Sequence, residues 1–229
     1  MSNYLIQGET LANIADAIRE KTGSSDQLSP SAMASAIAGI QAGGGGEAED
    51  MLRGLIERTA TDVVIPNGIT SIGANAFYKF TTLKTIHIPD SVQTIGNDAF
   101  NFCTTLEINS LPDGITRIGE GAFQNCEKMP LASLPNSLKK IEYYSFAYCR
   151  KLAITSIPAS VTSISTSAFS VCPALTNITF EGTPETIRGG AFANCTNLLT
   201  INVPWAEGAV ANAPWGATKA TINYNYTGG

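Results

Sequence analysis

The 229-residue sequence contains few charged side chains and almost no histidine. Asp, Glu, Lys and Arg make up 14% of the residues, and His87 is the single histidine. The net charge of −5 and the lack of any Lys/Arg cluster argue against a nucleic-acid partner. A lone histidine without an acidic or cysteine partner nearby makes a poor general base and a poor metal ligand. The sequence therefore predicts no enzyme activity, no metal site and no cofactor.

Long apolar segments are also missing. The longest weakly polar stretch, AMASAIAGI (residues 32–40), is too short and too rich in alanine to cross a bilayer. The N-terminus has no early basic residue followed by an apolar run, so we expect neither a secretory signal nor membrane insertion.

Clustered cysteines are absent too, because all five cysteines are separated by gaps of 23 residues. Zinc sites need closely spaced pairs, which this sequence does not contain. Stacked repeats could bring neighbouring thiols close enough for a disulfide. The odd number of cysteines and the missing export signal favour the other interpretation, a ladder of reduced and buried thiols.

The interval of 23 residues runs through most of the chain. It separates Phe77, Phe100, Phe123, Phe146, Phe169 and Phe192, and likewise Ile72, Ile95, Ile118, Ile141, Ile164 and Ile187. A column of Leu83, Leu106, Met129, Leu152, Leu175 and Leu198 keeps the same register. Such a period indicates a solenoid, in which each unit is too small to bury its own apolar face and must stack on the next. Equivalent residues should then lie about 4.8 Å apart.

The stretch LKTIHIPDSVQTIGNDAFNFC (residues 83–103) resembles the BspA-like, or Treponema-type, leucine-rich repeat. The resemblance covers residues 61–203, and it implies adhesion and binding of protein or glycan without a shared active site. The predicted fold is an α+β solenoid, a right-handed leucine-rich-repeat stack of six 23-residue repeats with short strands. Within a repeat, TIHIP and SVQTIG predict two short extended pieces, and NDAFNFC predicts a helical turn that points its Phe inward.

The two ends of the chain do not share the period. Apolar residues at helical spacing predict a small helical hairpin over residues 1–42, suited to attachment or to homo-oligomer formation. The four glycines of residues 43–46 predict a flexible linker. Residues 47–60 should form an N-terminal capping helix, and residues 204–229 a C-terminal cap that shields the last apolar layer.

The ends also carry a second resemblance. The N-terminal LIQGETLANIADAIREKTGSSDQLSPSAMASAIAGI (residues 5–40) and the C-terminal WAEGAVANAPWGATKATINYNY (residues 205–226) are similar to parts of tail proteins from phages and prophages of Gram-positive hosts. This resemblance implies a protein that is made in the bacterial cytoplasm, is located on the phage tail and binds a host-surface protein or glycan. A bacterial surface adhesin of the same fold is the alternative.

Three groups of residues are candidates for ligand binding. The first is an outward strand column of small polar side chains, which could offer hydroxyls to a glycan or peptide or could simply be a solvated face. The second is aromatic, lies outside the core columns, and is either a recognition surface or partly buried in the turns. The column contains His87, Ser110, Ser133, Ser156, Thr179 and Asn202, of which the first four are the candidates for contact with a ligand. The aromatic group contains Tyr78, Phe102, Tyr143, Tyr144 and Tyr148.

The third group comes from a one-residue offset in the middle repeats. Their apolar strand residue follows the Leu or Met column by two places, whereas in the regular repeats it follows by three. Because a one-residue shift reverses the facing of a strand, these side chains should either project outward as a binding patch or be accommodated by a bulge. The three residues are Ile108, Leu131 and Ile154.

Overall fold

The computed structural model describes residues 58–65 and 67–228. The predicted helical hairpin over residues 1–42, the glycine linker and nearly all of the predicted capping helix lie outside the described residues. The described part of the chain forms a parallel β-solenoid of about seven turns. We number turns 1 to 6 by their phenylalanines, from Phe77 in turn 1 to Phe192 in turn 6.

Short parallel strands build two sides of the solenoid. The strands are β1 (Asp62–Val64), β2 (Ser71–Ile72), β3 (Thr85–His87), β4 (Thr94–Ile95), β5 (Arg117–Ile118), β6 (Lys140–Ile141), β7 (Ser156–Ile157), β8 (Ser163–Ile164), β9 (Asn177–Phe180), β10 (Thr186–Ile187), β11 (Thr200–Asn202) and β12 (Thr221–Asn223). One side is a sheet in the order β2-β4-β5-β6-β8-β10. Its pairs join residues 23 positions apart, such as Ile95 with Ile118, so the predicted stacking register is confirmed.

The other strand side is interrupted. It consists of the pair β1-β3 and a four-stranded sheet in the order β7-β9-β11-β12. Residues 108–110 and 131–133, which occupy the equivalent places in turns 3 and 4, form no strand. The interruption therefore coincides with two of the three repeats in which the sequence shows the one-residue offset, while the third, which contains Ile154, forms β7.

The third side, where the sequence predicted helical turns, consists of stacked β-turns. No helix occurs in the part of the chain that the structure describes, so the α component of the predicted fold is not found there. Successive backbone amides along this side alternate between an acceptor in the same turn and an acceptor in the next turn. Asn101 donates to the carbonyl of Asp98 within its own turn (3.1 Å), whereas the Phe100 amide donates to Ala122 in the next turn (2.8 Å). A helix cannot form because every second amide points along the solenoid axis.

The six phenylalanines form a continuous ladder inside the coil. Neighbouring rings have centroids 5.1 to 5.6 Å apart and interplanar angles of 2° to 12°. Phe100, Phe123, Phe146, Phe169 and Phe192 are fully buried, as are the leucines of the neighbouring column. The prediction that the phenylalanines line up behind one another is confirmed.

The five cysteines are free and buried, as the sequence favoured. Each thiol donates to the carbonyl oxygen of the phenylalanine 26 residues earlier, for example Cys149 to Phe123 at 3.1 Å and Cys172 to Phe146 at 3.1 Å. Burial raises the pKa of Cys103 to about 12, and it raises that of Cys126 as well. The thiols of Cys103 and Cys126 therefore keep their protons at neutral pH, and all five thiols act as small core donors that tie successive turns together.

Ser145 departs from the column that precedes the phenylalanines, where the other five turns have alanine. Its side chain is fully buried, and its hydroxyl oxygen has no hydrogen-bond partner. Leaving a buried hydroxyl without a partner costs about 1–3 kcal/mol. The serine therefore lowers the stability of turn 4 relative to its neighbours.

We expect Ser145→Ala to raise the free energy of unfolding by about 1 kcal/mol, because it removes this unpaired group without changing the backbone. The reciprocal change Ala122→Ser, at the equivalent buried position of turn 3, should lower stability by a comparable amount. Urea denaturation of both variants, followed by circular dichroism, measures the two effects. A loss of stability in Ser145→Ala would mean that the hydroxyl has a partner after all.

Candidate ligand-binding surface

The side of the solenoid formed by β-turns carries the predicted aromatic residues. We call it the turn face, and it consists of residues 74–79, 97–102, 120–125, 143–148, 166–171 and 189–194. Each of these six segments contains two residues with positive φ, four positions apart. In turn 3 these residues are Gly121 and Asn125, and in turn 6 they are Gly190 and Asn194. Glycine and asparagine adopt this left-handed conformation most readily.

Three aromatic residues occupy the same left-handed positions. Their φ angles are 62° at Phe102, 55° at Tyr144 and 61° at Tyr148. For a residue with a bulky side chain this conformation costs about 1–2 kcal/mol. Because smaller residues serve at the equivalent positions of other turns, the fold does not require an aromatic group there. The left-handed conformation itself belongs to the fold, because all six turns have it, including those with Lys79 and Val171 at this position.

Most of these aromatic side chains are accessible. Phe102 is 40% exposed, Tyr143 43% and Tyr148 36%, whereas Tyr78 and Tyr144 are half-buried. Two groups form on the turn face. In the first, Tyr78 meets Phe102 edge to face with ring centroids 6.4 Å apart, and in the second, Tyr143 lies 4.0 Å from Tyr144. Partial burial in the turns, the alternative that the sequence left open, therefore applies to Tyr78 and Tyr144 alone.

The predicted polar strand column lies on a different side. His87, Ser110 and Ser133 are exposed, and Ser156 is half-buried. His87 and Ser110 line an open cleft of about 490 Å³ between turns 2 and 3, together with Asp90, Glu107 and Asp113. The cleft exists because the sheet is interrupted there, since no backbone hydrogen bond joins residues 86–88 to residues 109–111.

Neither surface holds the donor set of a metal centre. Within residues 58–65 and 67–228, no group of three or more His, Cys, Asp or Glu side chains could ligate a metal ion. Nor does any helix among the described residues have the length and hydrophobicity to span a bilayer.

The family of the chain follows from its repeats. A family model described as the BspA type leucine-rich repeat region matches residues 57–130 and 94–209, with six copies. These matches span more than half of the 229 residues. The chain belongs to the BspA-type leucine-rich-repeat family. The resemblance noted from residues 83–103 is thereby confirmed, and no enzyme family is indicated.

Solved structures similar to this BspA-type chain include three bacterial leucine-rich-repeat proteins. The T. pallidum leucine-rich-repeat protein is 27% identical, with 72% of this chain and 70% of that chain covered and a TM-score of 0.49. A leucine-rich cell surface protein from Faecalibacterium prausnitzii is 26% identical, with 77% and 62% covered and a TM-score of 0.38. A leucine-rich-repeat protein from Eubacterium ventriosum is 23% identical, with 74% and 45% covered and a TM-score of 0.55, and it shares the fold. No curated protein matches the chain.

The apolar residues of the offset repeats do not form a surface in this BspA-type solenoid. Ile108, Leu131 and Ile154 are 5%, 0% and 1% exposed, so the prediction of an outward binding patch at these residues is wrong. In turns 3 and 4 the backbone departs from strand geometry at residues 108–110 and 131–133, and Ile108 and Leu131 lie in the core. There the structure contains the alternative left open by the sequence, an irregular strand that absorbs the offset. In turn 5, Ile154 precedes the short strand β7 and is buried as well.

Some features of the surface were missed by the sequence-based prediction. The left-handed conformation of Phe102, Tyr144 and Tyr148 was not predicted, and Asn125, which lies between Phe102 and Tyr148 on the turn face, was not a candidate. A signal was present, because asparagine stands at this repeat position in turns 3 and 6 and glycine stands four residues earlier. That pattern indicates positive φ, and it makes an aromatic residue at the same position conspicuous.

Proposed function

We propose that this chain is a non-enzymatic recognition and adhesion protein whose turn face binds a host-surface protein or glycan. The observation that carries the proposal is the placement of Phe102 and Tyr148 at left-handed backbone positions where they stay exposed. Exposed aromatic groups on a rigid scaffold are the side chains most enriched at the energetic centres of binding surfaces. The rigidity comes from the phenylalanine ladder directly beneath the turn face.

The family supports this function at a coarser level. BspA-like leucine-rich-repeat proteins are generally surface, adhesion or protein-binding proteins. A solenoid is suited to such work because repetition places equivalent side chains in long rows on one surface. Binding then depends on the complementarity of shape and chemistry along a row, and no covalent step is needed.

The particle or cell to which the solenoid is attached stays a prediction. A phage or prophage tail was predicted from residues at the two ends of the chain, with residues 1–42 attaching the solenoid or joining copies of it. A bacterial cell surface is the alternative, and it agrees with the surface location that is common in the family. Both assign the same task to the turn face and differ only in what the other end of the protein is attached to.

An array of bacterial cell-wall glycans, host glycans and surface proteins, probed with the purified full chain, tests the proposal. We expect saturable binding to at least one polymer, because exposed aromatic side chains on a rigid scaffold are enriched at the energetic centres of binding surfaces. Binding should be lost in the double variant Phe102→Asn/Tyr148→Asn. If no polymer on the array is bound, or if the double variant binds as well as the wild type, the proposed function is wrong.

A further inference from the structure

Phe102, Asn125 and Tyr148 form a row along the solenoid axis. They occupy the same left-handed position in turns 2, 3 and 4, with φ angles of 62°, 60° and 61°. Their amides make equivalent bonds to the following turns, to the carbonyls of Gln124, Ala147 and Ser170 at 2.8 to 2.9 Å. Since successive turns are separated by about 4.8 Å, the two aromatic residues lie about 10 Å apart with Asn125 midway between them.

The row combines two apolar rings with one polar group. The Asn125 amide nitrogen faces the Asn101 side-chain oxygen at 3.5 Å, which leaves the Asn125 carbonyl oxygen available as an acceptor. Asn101 is itself held by its amide nitrogen, which donates to Asp98 at 2.8 Å and to Gln124 at 3.3 Å. The asparagine in the middle of the row is therefore supported by a side-chain network.

The row itself carries no charged residue, although Lys79 continues its column in turn 1 and Asp98 accepts from Asn101 beside it. From turn 2 to turn 6, the column that contains the row and the column immediately before it carry no Asp, Glu, Lys or Arg. The net charge of the chain is −5, so an anionic polymer would be repelled. The chemistry of the row suits a neutral ligand that offers flat apolar faces at a fixed repeat and hydroxyl groups between them.

We infer that this row binds a neutral, extended β-1,4-linked pyranose glycan that lies along the solenoid axis, with alternate sugar rings stacked on Phe102 and Tyr148. In such a glycan each ring is rotated by half a turn from its neighbours, so alternate rings present the same face at a repeat close to the spacing of the two aromatic residues. The intervening ring lies over Asn125, whose oxygen accepts a hydrogen bond from a hydroxyl. The inference rests on the proposed function, since it names the ligand class of the turn face.

Calorimetric titration of the full chain with chito-oligosaccharides and cello-oligosaccharides of two to six rings tests the inference. A disaccharide reaches one aromatic residue, whereas a trisaccharide reaches both. We expect the affinity for one of the two series to rise about tenfold between two and three rings, as two aromatic contacts replace one. The α-1,4-linked malto-oligosaccharides, which curve away from a straight row, should show no such rise.

Single variants show whether the rise comes from the two aromatic residues. Phe102→Asn and Tyr148→Asn place at these positions the residue that already serves at Asn125 and Asn194, so both variants should fold. Each should abolish the rise between two and three rings, whereas Val171→Asn, at the equivalent position of turn 5 and with φ 57°, should preserve it. Asn125→Ala should weaken binding of both the disaccharide and the trisaccharide, because in each of them one ring lies over Asn125, and it should preserve the rise between two and three rings.

The outcomes separate this inference from the proposed function. Absence of binding to both β-1,4 series, or binding without dependence on length, overturns the inference. If a surface protein binds the wild type and does not bind Phe102→Asn/Tyr148→Asn, the proposed function holds and the glycan assignment is wrong. If the array yields no ligand at all, both are wrong.

Discussion

Phe146→Ala is expected to lower the free energy of unfolding by about 3–5 kcal/mol, the usual loss for a buried phenylalanine. The ring is fully buried between those of Phe123 and Phe169, with centroids 5.6 and 5.5 Å away. Truncation leaves a cavity between two turns that cannot collapse, because hydrogen bonds along the strands and the turn face fix the spacing of the turns. Urea denaturation followed by circular dichroism measures the loss.

The matched control is Phe77→Ala at the beginning of the same ladder. Phe77 is only partly buried, and its ring is stacked on one phenylalanine of the column, Phe100 at 5.1 Å. We expect less than half the loss of the interior variant, because solvent can fill the space and fewer contacts disappear. Equal losses at the two positions would contradict a stack in which each turn depends on its immediate neighbours.

Trp215→Ala is the second large effect, with an expected loss of about 3–5 kcal/mol. The Trp215 ring is fully buried, and with Phe180 and Trp205 it forms an aromatic cluster in which ring centroids are 5.2 to 6.3 Å apart. Its indole nitrogen donates to the Ala211 carbonyl at 2.7 Å, and its own carbonyl accepts from Phe192 at 2.9 Å. The residue therefore closes the end of the phenylalanine ladder, as a terminal cap of a solenoid must.

Trp205→Phe is the control for this cluster. The Trp205 side chain is buried, and its indole nitrogen has no hydrogen-bond partner. Phenylalanine keeps most of the apolar contact and removes the unpaired donor, so the change in stability should stay within about 1 kcal/mol. A loss in Trp205→Phe as large as that in Trp215→Ala would show that the cap depends on ring size at both positions. Thermal denaturation with light scattering would also show whether Trp215→Ala exposes an associating surface.

The core of the solenoid could be predicted from the sequence because it repeats. Each column of Phe, Ile, Leu or Cys is a set of identical environments, and a single stacking rule assigns all of its members at once. The same rule predicted the register of the strand pairs, whereas the reduced state of the thiols was predicted from their odd number and the missing export signal. Ser145 was visible as an exception, but only the structure shows that its hydroxyl is buried without a partner.

The backbone of the turn face could not be predicted in the same way. The segment NDAFNFC has the composition of a helical turn, and nothing in it indicates that alternate amides bond to the next repeat. Positive φ at Phe102 and Tyr148 is invisible in their own residue types, because aromatic side chains do not favour it. The candidate site was thus predicted at the level of residue type, whereas the arrangement of Phe102, Asn125 and Tyr148 in a row came from the structure.

The one-residue offset of the middle repeats is compatible with an outward patch or with a bulge, and the sequence alone does not decide between them. A strand with strict alternation would have turned Ile108 and Leu131 outward. At these residues of turns 3 and 4 the backbone instead forms no regular strand pairs, because burying large aliphatic side chains stabilises the fold more than a few regular hydrogen bonds do. The open cleft beside His87 is a consequence of the missing strand pairs.

The binding role of Phe102 and Tyr148 is tested by the affinity of Phe102→Asn/Tyr148→Asn for the polymer that the wild type binds, measured beside the unfolding temperature. We expect the affinity to fall by at least about a hundredfold, from two lost aromatic contacts of about tenfold each. The unfolding temperature should equal or exceed that of the wild type, because asparagine relieves the strain at both left-handed positions. Undiminished binding, or a loss of binding that accompanies a large drop in unfolding temperature, would show that the two side chains do not have this role.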